Sequence, residues 1–118
     1  MLQVKNLTAG YGSIKVLQGL SFGVNSGEAV TMIGGNGAGK TTTLKAITGM
    51  IRATGGEIEF LGQRIEHLPP HKICKLGISM VPEGRQIFPL LTIEKNLRLG
   101  AYIHDYTEKE MLNKMDEV

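Results

Sequence analysis

Apolar and polar residues alternate from Leu2 to Leu7, which predicts a β-strand with one buried face. A second β-rich run covers residues 15–24 and ends at residues 25–27, which are Asn, Ser and Gly. The connection between the two runs, residues 9–13, contains two glycines and is predicted to be a turn. We therefore predict an antiparallel hairpin with a loose connection at the start of the chain.

A short, almost continuous apolar run follows at residues 29–33, with the sequence Ala-Val-Thr-Met-Ile. Such a run is typical of a strand that is buried on both faces. Residues 34–39 are rich in glycine and interrupt regular structure, and residues 40–50 show helical spacing of apolar residues. The pattern thus predicts a strand, a glycine-rich loop and a helix in direct succession.

The middle of the chain alternates between short strands and a short helix. Residues 53–56 are predicted to form a turn, and residues 57–61 a strand. A helix is predicted from Pro69-Pro70 to about Gly77, because proline is tolerated in the first helical turn. A further strand is predicted at residues 78–81.

Two helices are predicted near the end of the chain. Thr92 is a suitable N-cap for a helix from Ile93 to about Ile103. Thr107 and Glu110 have the spacing of a capping box, which predicts the start of a second helix. An amphipathic stripe follows on that helix: Met111, Leu112, Met115 and Val118.

Composition narrows the class of protein. Of the 118 residues, 42% are hydrophobic and 20% are charged, so a folded domain or part of one is expected and bulk disorder is not. The formal net charge of +2 gives no argument for binding nucleic acid or an acidic membrane surface. Cys74 is the single cysteine, so no internal disulfide is possible, which suits a reducing compartment. The sequence shows neither a signal peptide nor a membrane-spanning run.

The segment Gly34–Thr41 fits the pattern G-x-x-x-x-G-K-[ST], which is the pattern of a phosphate-binding loop. Successive backbone N–H groups converge on phosphate oxygens only if the loop wraps closely, and glycines permit this. Lys40 is predicted to reach the β and γ phosphates, the Thr41 hydroxyl to bind Mg²⁺, and Thr42 to contact the α phosphate. The residues predicted to wrap the phosphates are Gly35, Asn36, Gly37, Ala38, Gly39, Lys40, Thr41 and Thr42.

A glycine-rich turn that matches this pattern by chance is the alternative. The strand predicted before the loop and the helix predicted after it favour the phosphate-binding interpretation, because the start of a helix adds partial positive charge at the loop.

With this loop in place, residues 2 to about 102 resemble the ATP-binding subunit of ABC transporters, most of all a branched-chain amino-acid importer ATPase. NGAGKTTTLKAITGM and GGEIEFLGQRI are general to ABC proteins, whereas VPEGRQIFPLLTIEKNLRLGAY is narrower and carries the subfamily assignment. The resemblance implies an α/β fold of the P-loop NTPase, ABC ATPase type. The chain would be its N-terminal part: a nucleotide-binding core with an antiparallel β part over about residues 1–91, and the start of a helical subdomain over about 92–118.

The resemblance also assigns residues to the adenine base. Tyr11 matches the aromatic residue that stacks on adenine upstream of the loop in this family, although a tyrosine packing locally in a hairpin turn is the alternative. Val16 is a weaker candidate for lining the adenine site, and the alternative is an ordinary strand residue.

Glu83 lies where most ABC proteins carry a glutamine that contacts Mg²⁺ and the attacking water. The resemblance therefore makes Glu83 a candidate metal ligand and, with Lys40, a candidate catalytic residue; a solvated loop acid is the alternative. Gly35 also departs from the family, which usually has proline at this position. Phe88 and Leu90 would pack either against a membrane partner or against a helix of this domain.

The implied function is ATP binding, with Mg²⁺, in an importer: two ATP-binding subunits on permease subunits at the cytoplasmic face of the membrane, powering uptake of branched-chain amino acids. The family's signature sequence, its acidic metal-binding strand with the catalytic glutamate, and its switch histidine have no match here. We therefore expect weak nucleotide binding and no turnover by the family's mechanism. Asp116-Glu117 and the three histidines lack the expected context and are predicted to be solvated. A nucleotide-binding module without turnover and a soluble, non-transport ABC ATPase remain alternatives.

Overall fold

Strands β1 (Leu2–Tyr11) and β2 (Ile14–Val24) form the antiparallel hairpin that the sequence predicts. Its connection is tight rather than loose, because Tyr11 pairs directly with Ile14. The computed structural model describes residues 1–84 and 86–118. These residues form two units, Met1–Met80 and Val81–Val118.

The hairpin belongs to a four-stranded sheet with the order β2-β1-β3-β4, where β3 is Ala53–Phe60 and β4 is Gln63–Arg64. All neighbouring strands are antiparallel. The turn predicted at residues 53–56 is wrong, since these residues are the first half of β3. They continue the strand because β1 offers them a ladder, in which Ala9 is opposite Ala53 and Thr8 is opposite Gly55.

Helix α1 (Lys40–Ile47) packs on this sheet, and α2 (Pro70–Lys75) follows β4. The start of α1 agrees with the prediction, but the helix ends three residues earlier than expected, before Gly49 with its positive φ of 73°. The buried apolar residues form one cluster, in which each side chain larger than alanine contributes about 1.5–3 kcal/mol through burial. They are Val4, Leu7, Ala9, Leu17, Ala46, Ile47, Ile58, Phe60, Ile65 and Ile73.

Two predicted strands, at residues 29–33 and 78–81, are not formed. The first was expected to be buried on both faces, yet Ile33 is 91% exposed and Val30 is half exposed. A strand exists through hydrogen bonds to a neighbouring strand, and within residues 1–84 and 86–118 no strand pairs with either segment. Their apolar, β-branched composition is therefore insufficient to make them strands here.

The carboxylate of Glu66 ties β4 to β3. It accepts hydrogen bonds from the backbone N–H of Ile58 at 3.2 Å and from Arg64 Nε at 2.7 Å. Burial raises the pKa of Glu66, but the hydrogen bonds from Arg64 and from backbone N–H groups outweigh it, so this pKa lies below its ordinary value.

We expect Glu66→Gln to lower the melting temperature at neutral pH, because the folded state favours the ionised carboxylate. A depressed folded-state pKa adds stability above the unfolded pKa, near 4.5, and this stability disappears as pH falls through the folded value. Thermal melts from pH 7 to pH 3 should therefore show the difference shrinking below about pH 4.5. Glu57→Gln is the control, since Glu57 pairs with the same Arg64 but is about half exposed. Equal effects of the two variants would contradict this account.

The second unit contains α3 (Ile93–Gly100) and α4 (Glu108–Asp116). Both predicted N-termini are confirmed, because Thr92 accepts a hydrogen bond from the N–H of Lys95 and Thr107 forms a capping box with Glu110. Arg98 joins the helices through Glu94 on α3 and Glu108 on α4. The hydrogen bonds that Arg98 donates to Glu108 and to Glu94 raise the pKa of its guanidinium.

The residues expected to be solvated are exposed: His67, His71, His104, Asp116 and Glu117. Cys74 is half-buried. No helix in the described part of the chain is long and apolar enough to cross a bilayer.

Candidate functional site

The glycine-rich loop leads directly into α1, as the sequence pattern predicts. Within it the N–H of Ala38 donates to the carbonyl of Gly35 at 3.1 Å, which closes a tight turn. Gly37 and Gly39 both have positive φ, at 83° and 93°. The backbone therefore curls just before the helix begins, in conformations that only glycine adopts without strain.

Gly39 is also fixed by its contact with β2. A Cβ atom at this position would lie 2.6 Å from Leu17 Cδ2 and 3.4 Å from Val16 Cγ1. Glycine is thus required for two separate reasons, the positive φ and the close approach of β2. The contact anchors the end of the loop to the sheet.

The side chain of Lys40 folds back over the loop. Its Nζ donates hydrogen bonds to the carbonyl of Gly35, at 2.8 Å, and to the carbonyl of Gly34. The ammonium is consequently held at the loop rather than extended into solvent. A positive charge in this place attracts an anion to the loop.

The start of α1 adds further attraction for an anion. The first N–H groups of a helix have no acceptor within it, and the N-cap residue Gly39 offers no side chain to satisfy them. The first turn of α1 contains no acidic residue that would repel an anion. Free N–H groups and the helix dipole both favour negative charge here.

The three threonines after Lys40 differ in exposure. Thr41 is exposed, whereas Thr42 and Thr43 are 6% and 1% exposed. Thr41 therefore presents a hydroxyl to solvent beside Lys40, which fits the oxygen ligand that Mg²⁺ prefers. Because the Thr42 side chain is buried, its backbone N–H at the start of the helix is the group more available to a phosphate.

Val16 lies near the loop, on β2, and Tyr11 is at the hairpin end of β1, where it pairs with Ile14. Val16 lines a cleft of about 340 Å³ together with Ala38, Lys40 and Thr43. Tyr11 is 45% exposed and pairs with Ile14. The described contacts do not bring Tyr11 to the loop, so its role in stacking stays a prediction.

Glu83 belongs to the second unit, where it is exposed on a loop. Phe88 and Leu90 in the same unit are 59% and 98% exposed. The structure therefore does not show them packed on a helix of this domain, which was one of the two interpretations. Arg85, which lies between Glu83 and Phe88 in the sequence, is outside the described residues.

Asn96 is a residue that the sequence analysis did not identify. Its Oδ1 accepts from the N–H of Phe88 at 2.9 Å, and its Nδ2 donates to the carbonyls of Phe88, Leu91 and Thr92. One side chain thus fixes the segment that exposes Phe88 and Leu90. An asparagine in the first turns of a predicted helix is the available signal, because such side chains bind nearby backbone groups.

Comparison with known proteins decides the family. The family described as "ABC transporter" matches residues 17–118 of the chain. The chain belongs to the ABC transporter family.

Two relatives match this ABC protein along its whole length with equal identity. The high-affinity branched-chain amino acid transport ATP-binding protein BraG of Pseudomonas aeruginosa is 39% identical over 118 residues, which are 100% of this chain and 50% of BraG. The lipopolysaccharide export system ATP-binding protein LptB of Haemophilus influenzae is 39% identical over 119 residues, covering 100% of this chain and 49% of LptB. The chain thus spans about half the length of the curated relatives it matches.

Solved structures confirm the predicted fold class. One is the dimeric structure of a post-hydrolysis state of the ATP-binding cassette MJ0796 bound to ADP and Pi. The alignment has a TM-score of 0.81 and 25% identity, and covers 99% of this chain and 55% of that one. The ABC ATPase fold expected from sequence is therefore present in its α/β form.

Proposed function

We propose that this chain binds ATP together with Mg²⁺ through residues 34–42, as part of the ATP-binding subunit of an ABC transporter. The observation that carries the proposal is the position of Lys40, whose ammonium lies over the loop carbonyls beside an uncapped helix start. A lysine charge and unpaired N–H groups at one place are suited to a triphosphate.

Each residue of the proposed site contacts one part of the nucleotide or the metal ion. Residues 35–39 supply backbone N–H groups for the phosphates, Lys40 pairs with the β and γ phosphates, and Thr42 contacts the α phosphate. Thr41 and Glu83 are the proposed oxygen ligands of Mg²⁺, which supplies positive charge to the phosphates when it is bound. Tyr11 stacks on the adenine, and Val16 lines its site.

For the whole transporter we propose a second ATP-binding subunit and permease subunits as partners, at the cytoplasmic face of the membrane. The dimeric cassette supports the first partner, and the transport functions named for BraG and LptB support the second. Uptake of branched-chain amino acids rests on BraG and on the segment VPEGRQIFPLLTIEKNLRLGAY. A solute-uptake assay tests this part of the proposal, because LptB, which is named for lipopolysaccharide export, is equally similar. Copurification with permease subunits distinguishes this proposal from a soluble ABC ATPase.

An ATP titration with and without Mg²⁺ tests the site itself. We expect Mg²⁺ to strengthen ATP binding by wild-type chain, and Thr41→Val to lose most of that gain while ATP binding in EDTA stays unchanged. Isothermal titration calorimetry measures both. Thr48→Val, a substitution at the other end of α1, is the control and should behave as wild type. Failure of wild type to bind ATP with Mg²⁺ would refute the proposed function.

Tyr11→Ala should weaken ATP and GTP binding alike, by about tenfold, because base stacking contributes roughly 1–3 kcal/mol and tolerates any base. Fluorescent-nucleotide competition measures both affinities. Tyr102→Ala is the control, since Tyr102 is an 82% exposed tyrosine of the second unit. An effect confined to one of the two nucleotides would point to hydrogen-bond recognition of the base instead.

A further inference from the structure

Thr43 is the most deeply buried of the three threonines in α1, and both of its donors go to one acceptor. Its N–H and its Oγ1 each donate to the carbonyl of Gly39 at 2.8 Å. Only the N–H bond belongs to regular helix geometry. The hydroxyl therefore adds a second constraint on the orientation of the Gly39 carbonyl.

The orientation of that carbonyl determines where the N–H of Lys40 points. The two groups share one planar trans peptide, in which C=O and N–H are directed oppositely. With the carbonyl held along the helix toward Thr43, the Lys40 N–H is directed away from the helix, toward the loop. As the first N–H of α1, it has no acceptor within the helix.

Gly39 needs such a constraint more than other residues do. It has no side chain, its φ is 93°, and glycine is the residue with the widest choice of backbone conformations. Leu17 limits its movement on the side of β2. Thr43 limits the rotation of the peptide between Gly39 and Lys40, because it holds the Gly39 carbonyl.

We propose that Thr43 is a positioning residue for phosphate binding: its hydroxyl holds the Gly39 carbonyl so that the Lys40 N–H is directed at the bound phosphates. This inference rests on the proposed function. It concerns the backbone donor of Lys40 and is separate from the role of the Lys40 side chain.

Thr48 provides a matched control within the same helix. Its Oγ1 donates to the carbonyl of Leu44 at 2.9 Å, which is the same type of bond four residues back, at the end of α1 opposite the loop. If the Thr43 hydroxyl served only the stability of α1, Thr43→Val and Thr48→Val would affect nucleotide affinity equally.

The experiment compares Thr43→Val, Thr43→Ser and Thr48→Val by calorimetric ATP titration of the full chain. We expect Thr43→Val to bind ATP roughly fivefold more weakly, as for one hydrogen bond, with its adenosine affinity unchanged. Thr43→Ser keeps the hydroxyl and should stay within about twofold of wild type, as should Thr48→Val. In amide NMR spectra, the Lys40 N–H should shift on ATP addition in wild type and much less in Thr43→Val.

Three outcomes overturn the inference. One is ATP affinity in Thr43→Val equal to that in Thr48→Val, and another is equal loss of ATP and adenosine affinity. The third is loss of ATP affinity in Thr43→Ser as large as in Thr43→Val. If Lys40→Ala weakens ATP binding while Thr43→Val does not, only this inference falls. If wild type binds no ATP, the proposed function falls and the inference with it.

Discussion

Lys40→Ala should weaken ATP binding by about 50-fold, the largest loss of affinity that we expect from a single side chain. Its ammonium is already placed at the loop by the carbonyls of Gly34 and Gly35. A hydrogen bond from a charged group contributes about 1.5–3 kcal/mol, and each 1.4 kcal/mol is tenfold in affinity. Calorimetric titration with ATP measures the change, and AMP titration should show a smaller one, because AMP lacks the β and γ phosphates.

The matched control for this variant is Lys45→Ala. Lys45 lies in the last turn of the same helix, so the substitution removes the same net charge without touching the loop. We expect Lys45→Ala to bind ATP within about twofold of wild type, since salt screens a charge that lies at the opposite end of the helix from the loop. Comparable losses in the two variants would mean that general electrostatics, rather than a specific contact, accounts for binding.

Gly39→Ala should destabilise the first unit by roughly 2–5 kcal/mol. An alanine at a φ of 93° is strained by about 1–2 kcal/mol. Its Cβ would also lie 2.6 Å from Leu17 Cδ2, and overpacking of this kind costs about 1–3 kcal/mol. Urea denaturation followed by circular dichroism measures the free energy of unfolding.

Gly37→Ala separates the two contributions. Gly37 has a similar φ of 83°, but a Cβ atom there would meet nothing within 4 Å. This variant should therefore show the backbone strain alone. The double variant Gly39→Ala/Leu17→Ala should be less destabilised than the sum of its single substitutions, because Leu17→Ala removes the clash. Additive effects would show that Leu17 is not the obstacle.

Features that depend on residues close in sequence were predictable. The glycine loop, the first residue of α1 and the capping box of Thr107 with Glu110 each depend on neighbours within a few positions. The β1–β2 hairpin also agrees, because its two strands are joined by a turn with a clear glycine signal. At the site, the motif predicted that Lys40 lies at the loop, and its ammonium contacts the loop carbonyls.

Features that depend on distant partners were not predictable. Residues 29–33 have the composition of a buried strand, but composition does not reveal whether a partner strand is available. Residues 53–56 carry a turn signal, yet β1 pairs with them and extends β3. Thr43 was overlooked at the site because the motif ends before it, and only the folded helix shows where its hydroxyl is directed.

The hydrogen bonds from Lys40 to the loop carbonyls also affect the kinetics of nucleotide binding. The carbonyls of Gly34 and Gly35 occupy two of the three ammonium N–H groups, so at least one of these hydrogen bonds must break before Lys40 pairs with both the β and the γ phosphates. Association is then a collision followed by an exchange of partners, so the observed rate should level off at high nucleotide concentration. On dissociation the exchange is reversed: the ammonium returns to the carbonyls of Gly34 and Gly35, and these hydrogen bonds offset part of the cost of releasing the phosphates.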